Sequence, residues 1–317
     1  MKQKLSKKSL AGIGMIGVFL LMLCCPKEVF NGASEGLLLW FQILFPTLFP
    51  FLLITDLLMA TGGIRMISKV LSVPFGILFR VSGEGSFAVV AGFLCGYPMG
   101  AKITADLIRN QSISVEEGTY LLSFCNNTSP IFIMNFLVWK TLDRKELLLP
   151  SLVILLGTPV VMSFPFRKIY KSGRKRGGGG RNTLGMQRNY IMKKKSVESC
   201  MMDSFETIVK VGGYLIIFSV LLELAEQTGQ KNIAATLLLS TLEVTNGILM
   251  IAKRFPEIST AYPLLIGLTS MGGICSMAQT QSMIRGTGLK LSDYIIQKLA
   301  TAMAASGFAI LYAKFNF

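Results

Sequence analysis

The sequence predicts an all-α polytopic membrane protein, with about eight spanning or re-entrant helices built as two inverted repeats with broken helices. Four observations point there. Of the 317 residues, 51% are hydrophobic and only 15% charged, against roughly 25% charged in an ordinary soluble domain. Uncharged stretches run over 9–26, 36–55, 85–101, 118–139, 147–166 and 258–284, and about 20 apolar residues span a bilayer core as a helix. Glycine, proline and consecutive polar residues interrupt several of these stretches at their centres. Finally, the two halves echo one another weakly.

The formal charge of +15 would suit a nucleic-acid partner if it were spread over a surface, but it is packed into two places. Residues 165–200 carry eleven Lys/Arg and one acid, Glu198, and Lys2, Lys4, Lys7 and Lys8 crowd the start. Basic charge in loops beside membrane segments marks the cytoplasmic side. No aromatic-interleaved basic surface for stacking bases accompanies it, so no nucleic-acid partner is expected. The chain has no histidine, and its six cysteines show no paired spacing. His-ligated zinc, Ser-His-Asp triads and imidazole acid–base chemistry are thereby excluded. Neither an enzyme nor a bound cofactor or metal is expected.

In chain order, a basic tail and apolar run to Cys25 read as an uncleaved first helix, since Cys24-Cys25-Pro26 is a poor signal cleavage site. The span at 36–60 carries Pro46 and Pro50 one turn apart, which predicts a kink or break. Residues 64–81, with Arg65, Lys69 and Arg80 among apolar neighbours, suit a helix lying in the interface. Trp40 and Trp139 read as interface anchors. The stretch 86–108 holds Gly92, Gly96, Pro98 and Gly100 at its centre and predicts a hairpin or broken helix. Spans at 116–139 and 146–164 follow, then a basic, glycine-rich linker expected to be disordered. The second half offers spans near 205–226, 233–252, 261–283 and 294–313. With the N-terminus inside, spans at 9, 36, 116 and 146 return the chain to the cytoplasm at residue 165 only if 86–108 makes no net crossing. Four further spans would leave both termini cytoplasmic. The domain division expected is 1–32 for the tail and first helix, 33–166 for the first repeat, 167–200 for the linker and 201–317 for the second repeat.

The repeat is carried by Leu57-Leu58-Met59-Ala60-Thr61-Gly62 against Leu224-Ala225-Glu226-Gln227-Thr228-Gly229, which sets Asp56 on Glu223. Ala105-Asp106-Leu107-Ile108-Arg109 likewise resembles Gln281-Ser282-Met283-Ile284-Arg285. Asp56 and Glu223 read either as a buried pair or as helix-end charges in the headgroup zone.

Four constellations carry the chemistry. Gly96-Tyr97-Pro98-Met99-Gly100-Ala101-Lys102 would free backbone amides at a half-helix start, where Lys102 adds a full charge for an anion. Its bland reading is close packing with Lys102 snorkelling. Asn126-Asn127-Thr128-Ser129-Pro130 places four hydrogen-bonding side chains in an apolar span, either lining a polar site or bonding to neighbouring helices. In the second half, Glu243-Val244-Thr245-Asn246-Gly247 repeats this polar pattern, and Thr269-Ser270-Met271-Gly272-Gly273 supplies a glycine-rich break. Glu243 reads as a proton or sodium coupling site or as the ion-pair partner of Lys210; Glu84 is a second coupling-ion candidate. The first-half motifs would form one wall of a central site and the second-half motifs the other.

These residues are familiar. Glu84-Gly85-Ser86-Phe87, Gly96-Tyr97-Pro98-Met99-Gly100-Ala101-Lys102 and Leu121 to Phe132 resemble the YlbJ family of sporulation integral membrane proteins, which carry nucleoside-recognition (Gate) domains and are similar in plan to concentrative nucleoside transporters. The resemblance covers about residues 33–313 and is weaker in the second half. It implies a transporter of a small polar, anionic metabolite in the cytoplasmic membrane or the outer forespore membrane, with dipicolinic acid as substrate. A nucleoside transporter, or a non-transporting assembly or signalling protein whose linker binds a partner or lipid, are the alternatives. The partners expected are the solute, the bilayer and a coupling ion, with a homo-oligomer left open. Gly96, Pro98, Gly100, Lys102, Asn126, Asn127, Thr128, Ser129, Glu243, Thr245, Asn246, Thr269 and Ser270 would hold the solute.

Overall fold

The computed structural model describes residues 7–169, 196–226 and 232–317. The basic linker, most of the N-terminal tail and Gln227 to Gly229 of the first repeat match lie outside the described residues. Those described form helices α1 (Lys7–Cys24), α2 (Pro26–Leu39), α3 (Phe45–Thr61), α4 (Gly63–Leu71), α5 (Pro74–Phe79), α6 (Gly83–Cys95), α7 (Met99–Arg109), α8 (Val115–Cys125), α9 (Pro130–Phe132), α10 (Leu148–Ile169), α11 (Val197–Glu226), α12 (Ile233–Ser240), α13 (Val244–Arg254), α14 (Ile258–Met271), α15 (Gly273–Ile284) and α16 (Leu291–Asn316). Two π-helical segments, Trp40–Leu44 and Ile133–Leu142, continue α2 into α3 and extend α9.

Among the described residues, six continuous helical stretches are long and apolar enough to cross a bilayer: Pro26–Thr61, Val115–Leu142, Lys145–Ile169, Val197–Glu226, Ile258–Ile284 and Leu291–Asn316. Large apolar side chains such as Phe41, Leu149 and Met303 face outward, whereas Asn126, Glu243, Gln297 and Lys298 are buried. A water-soluble globule has the reverse distribution. The molecule is a polytopic membrane protein.

The first crossing is held by close helix contact. Gly32 and Gly36 lie so near α11 that an added Cβ would stand 2.8 Å from the Cα atoms of Val220 and Ile216. Small residues let two backbones approach in this way. Further along, the Trp40 indole donates to the Ile208 carbonyl (2.9 Å) and Phe49 packs on Phe205 (4.5 Å between centroids). These pairs make α2–α3 antiparallel to α11, and they correct the reading of Trp40 as an interface anchor. Of the kink or break expected at Pro46 and Pro50, a break does not occur, because the helix continues through both. The π turn precedes Pro46, and the Thr47 hydroxyl donates to the Ile43 carbonyl (2.6 Å) beside the missing prolyl N–H groups.

Residues 64–81 form two short helices, α4 and α5, and 86–108 forms the expected helical hairpin of α6 and α7. The stretch 233–252, expected to cross, is instead a second hairpin of α12 and α13. Its arms close because Gly247 lies against the Ser240 carbonyl, which an added Cβ would meet at 2.0 Å. Each half therefore has the same order: a long span, a hairpin, a broken span (α8–α9 or α14–α15) and a long span (α10 or α16). The expected pairing of motifs is accordingly shifted. Glu243 to Gly247 runs from the tip of this hairpin into α13 and is the counterpart of Gly96 to Gly100, and Met271 to Gly273 is the counterpart of Asn126 to Ser129. Nor are Ala105–Arg109 and Gln281–Arg285 equivalent; they touch, with Arg109 donating to the carbonyls of Met283 (2.6 Å) and Arg285 (3.0 Å).

Removing one crossing moves the C-terminus. The Phe317 ring lies 5.9 Å from the Arg144 guanidinium, at the turn that opens α10, whereas the linker follows the other end of that 22-residue helix, about 33 Å away. The linker and the C-terminus thus stand at opposite ends of α10. A reporter fused after Phe317 is expected on the face opposite one inserted after Ile169, read by paired cytoplasmic and extracytoplasmic reporter activities; signals from one face would contradict the arrangement.

Candidate functional site

The two hairpin tips and the two helix breaks meet around one cavity of about 290 Å³, near the lower end of the roughly 300–1,000 Å³ usual for small-molecule sites. Gly96 and Tyr97 come from the first tip, Thr128 and Ser129 from the first break, Glu243 and Thr245 from the second tip, and Gly272, Cys275, Ser276 and Gln279 from the second break. Both π segments contribute as well, through Gln42 and Asn135. Such segments shift side chains out of α-helical register and are frequent at functional sites.

Backbone bonds weld this junction. The amides of Ile274 and Cys275, which open α15, donate to the carbonyls of Thr241 (2.7 Å) and Leu242 (2.9 Å) at the second tip. Gly272 and Gly273 make that approach through positive φ values of 81° and 76°. In the first half, Gly92 and Gly100 straddle the Cys125 carbonyl, which an added Cβ would meet at 2.0 and 2.3 Å. The Thr128 hydroxyl donates to the Thr269 carbonyl (2.8 Å), joining one break to the other.

Of the residues expected to hold a solute, Gly96, Thr128, Ser129, Glu243 and Thr245 line the cavity. The others do not, and each has a structural occupation. Lys102 is 7% exposed and pairs with Asp56 (2.6 Å) and Asp106 (2.9 Å). Asp56 also accepts from the Ser204 hydroxyl (2.9 Å), which settles the Asp56 alternative as a buried pair, with Lys102 rather than Glu223. The Asn126 amide accepts from Ala101 N–H (3.2 Å) and donates to Thr280 (3.0 Å) and Tyr294 (2.9 Å). Asn127 donates to the Phe124 carbonyl. Pro98 caps α7, Gly100 supplies close contact, and Asn246 N–H donates to Glu243 (2.8 Å). Thr269 and Ser270 offer carbonyls to Thr128 and Lys298. Glu84 sits in the first turn of α6, outside the lining.

Several of the freed amides expected to bind an anion are already occupied by the chain itself. Asn126 takes Ala101 N–H, Ser129 Oγ takes Phe132 N–H (3.2 Å), and Thr241 and Leu242 take the start of α15. Glu243, 2% exposed, caps α13 by accepting from the N–H groups of Thr245 (3.0 Å) and Asn246 (2.8 Å). It forms no pair with Lys210, which binds Glu206 (2.5 Å). Among the described residues, the carboxylate is the one acidic side chain on the cavity wall, and Lys140, exposed, is the one basic side chain there.

Sequence reasoning missed Lys298. It lies in α16, 2% exposed, and its ammonium donates to Asn127 Oδ1 (3.0 Å) and to the Ser270 carbonyl (3.3 Å). A single lysine in an otherwise apolar span was the available signal. Gln42 and Asn135 were missed too, since lone polar residues in apolar helices carry no pattern.

No protein-family model matches the chain, and no solved structure matches it. It is 26% identical, over 91% of its own length and 78% of the relative's, to the sporulation integral membrane protein YlbJ of Bacillus subtilis strain 168. The likeness read from the first-half motifs thus extends over nearly the whole sequence, and the chain is a homologue of that membrane protein.

Proposed function

We propose that this chain is a membrane transporter of a small polar metabolite, serving sporulation as its relative's name indicates. The observation that carries the reading is the junction of two hairpin tips and two broken spans, one set from each half, around a cavity whose largely apolar wall carries a few polar side chains. In transporters of inverted-repeat plan the solute sits between the halves at the midplane, and unwound backbone at that depth is tolerated where it is buried or lines a cavity.

The wall chemistry favours an uncharged solute with hydrogen-bond donors, of the nucleoside kind, over a dianion. A pyridine dicarboxylate would face the buried Glu243 carboxylate without Lys102, whose charge is matched by Asp56 and Asp106, and with only the exposed Lys140 as a basic side chain on the wall. Burying like charges together at low dielectric is costly. Dipicolinic acid, the substrate implied by the family resemblance, is the natural competitor. In proteoliposomes of the purified chain, saturable counterflow of labelled uridine that dipicolinate does not inhibit is expected. Dipicolinate exchange would overturn the uncharged-solute reading. Exchange of neither would overturn transport of these solutes and favour a non-transporting membrane component.

A further inference from the structure

Two helices stop at the centre of the molecule with their C-terminal ends facing one point: α8 at Cys125 and α14 at Met271. The C-terminal end of a helix carries partial negative charge from carbonyls without intrahelical partners. In proteins built from broken membrane helices, such ends and the unwound carbonyls beside them coordinate a monovalent cation. Here a side chain occupies that position. The Lys298 ammonium reaches from α16 to the Ser270 carbonyl (3.3 Å) at the end of α14 and to Asn127 Oδ1 (3.0 Å) just beyond the end of α8. Asn127 is itself bonded to the Phe124 carbonyl in the last turn of α8. Both oxygens bound by the ammonium are neutral, and the lysine is 2% exposed. A buried charge with neutral partners is expensive unless the surrounding dipoles are oriented toward it, and the two helix ends supply that orientation.

We propose that Lys298 is a tethered cation filling the monovalent-cation position between the two broken spans, so that the junction closes without sodium. Under the transport reading, on which only this consequence rests, solute movement is not coupled to sodium. The coupling role expected for Glu84 and Glu243 then has no sodium site to serve.

The test is thermal unfolding of the purified full chain in detergent, which reads the site whether or not any solute is exchanged. Wild type is expected to unfold at the same temperature in sodium chloride and in choline chloride of equal ionic strength. Lys298→Met, which keeps the bulk of the stem and removes the charge, is expected to unfold several degrees lower. Lys298→Ala is expected to fall further and to be raised again, saturably, by ethylammonium but not by choline, which is too large for the vacated space. A saturable rise of the wild-type transition with sodium would overturn the proposal, as would a Lys298→Met protein as stable as wild type. Absence of exchange in the counterflow assay would count against transport and leave these outcomes unaffected.

Discussion

Lys102→Ala is expected to destabilise the protein by about 3–5 kcal/mol, the usual cost of removing one member of a buried ion pair. The substitution leaves Asp56, 9% exposed, with only the Ser204 hydroxyl, and leaves Asp106 to Arg109 alone (2.9 Å). The loss should be visible as a lower yield of monodisperse protein and a depressed unfolding transition in detergent. Pairing it with Asp56→Leu, as Lys102→Met/Asp56→Leu, should recover much of the stability, because a matched apolar pair is often as good as a buried ion pair. A Lys102→Ala protein of wild-type stability with lost solute affinity would restore the anion-binding role and refute the structural one. The network spans α3, α7 and α11, and through Arg109 reaches the carbonyls at the end of α15. Its loss should therefore loosen both repeats.

Glu243→Gln is expected to weaken solute binding about 10- to 100-fold while leaving the chain folded. The carboxylate offers about four acceptor positions, of which the amides of Thr245 and Asn246 take two, so acceptor capacity remains for a solute donor. A hydrogen bond to a charged group contributes about 1.5–3 kcal/mol, and about 1.4 kcal/mol is tenfold in affinity. Glutamine keeps one acceptor oxygen for the cap. Glu243→Ala removes the cap as well and should cost a further 0.5–2 kcal/mol or so of stability. Saturation curves for labelled uridine, set beside unfolding transitions for both variants, separate the two effects; unchanged affinity in a folded Glu243→Gln protein would remove Glu243 from the site.

Much of this architecture was legible. Six spans, the hairpin over 86–108 and the breaks at Asn126 and Gly272 follow from runs of apolar residues and from where glycine, proline and polar residues interrupt them. The second hairpin was not legible, because its tip, Thr241-Leu242-Glu243, has neither glycine nor proline. There the break is imposed by packing: carbonyls of the tip accept from α15, and the Glu243 side chain ends one helix by starting the next. With that crossing gone, the linker and the C-terminus lie at opposite ends of α10.

The amino-acid sequence by itself determined that the chain lives in a bilayer and where six of its spans, one hairpin and two helix breaks fall, because those follow from local hydropathy and backbone chemistry. Only the tertiary structure decided what each charge does. Lys102 meets its carboxylate 46 residues away, and Lys298 meets Asn127 171 residues away. In a medium without water a charge must find its partner wherever the fold places one, and that distance in sequence is invisible to any local pattern.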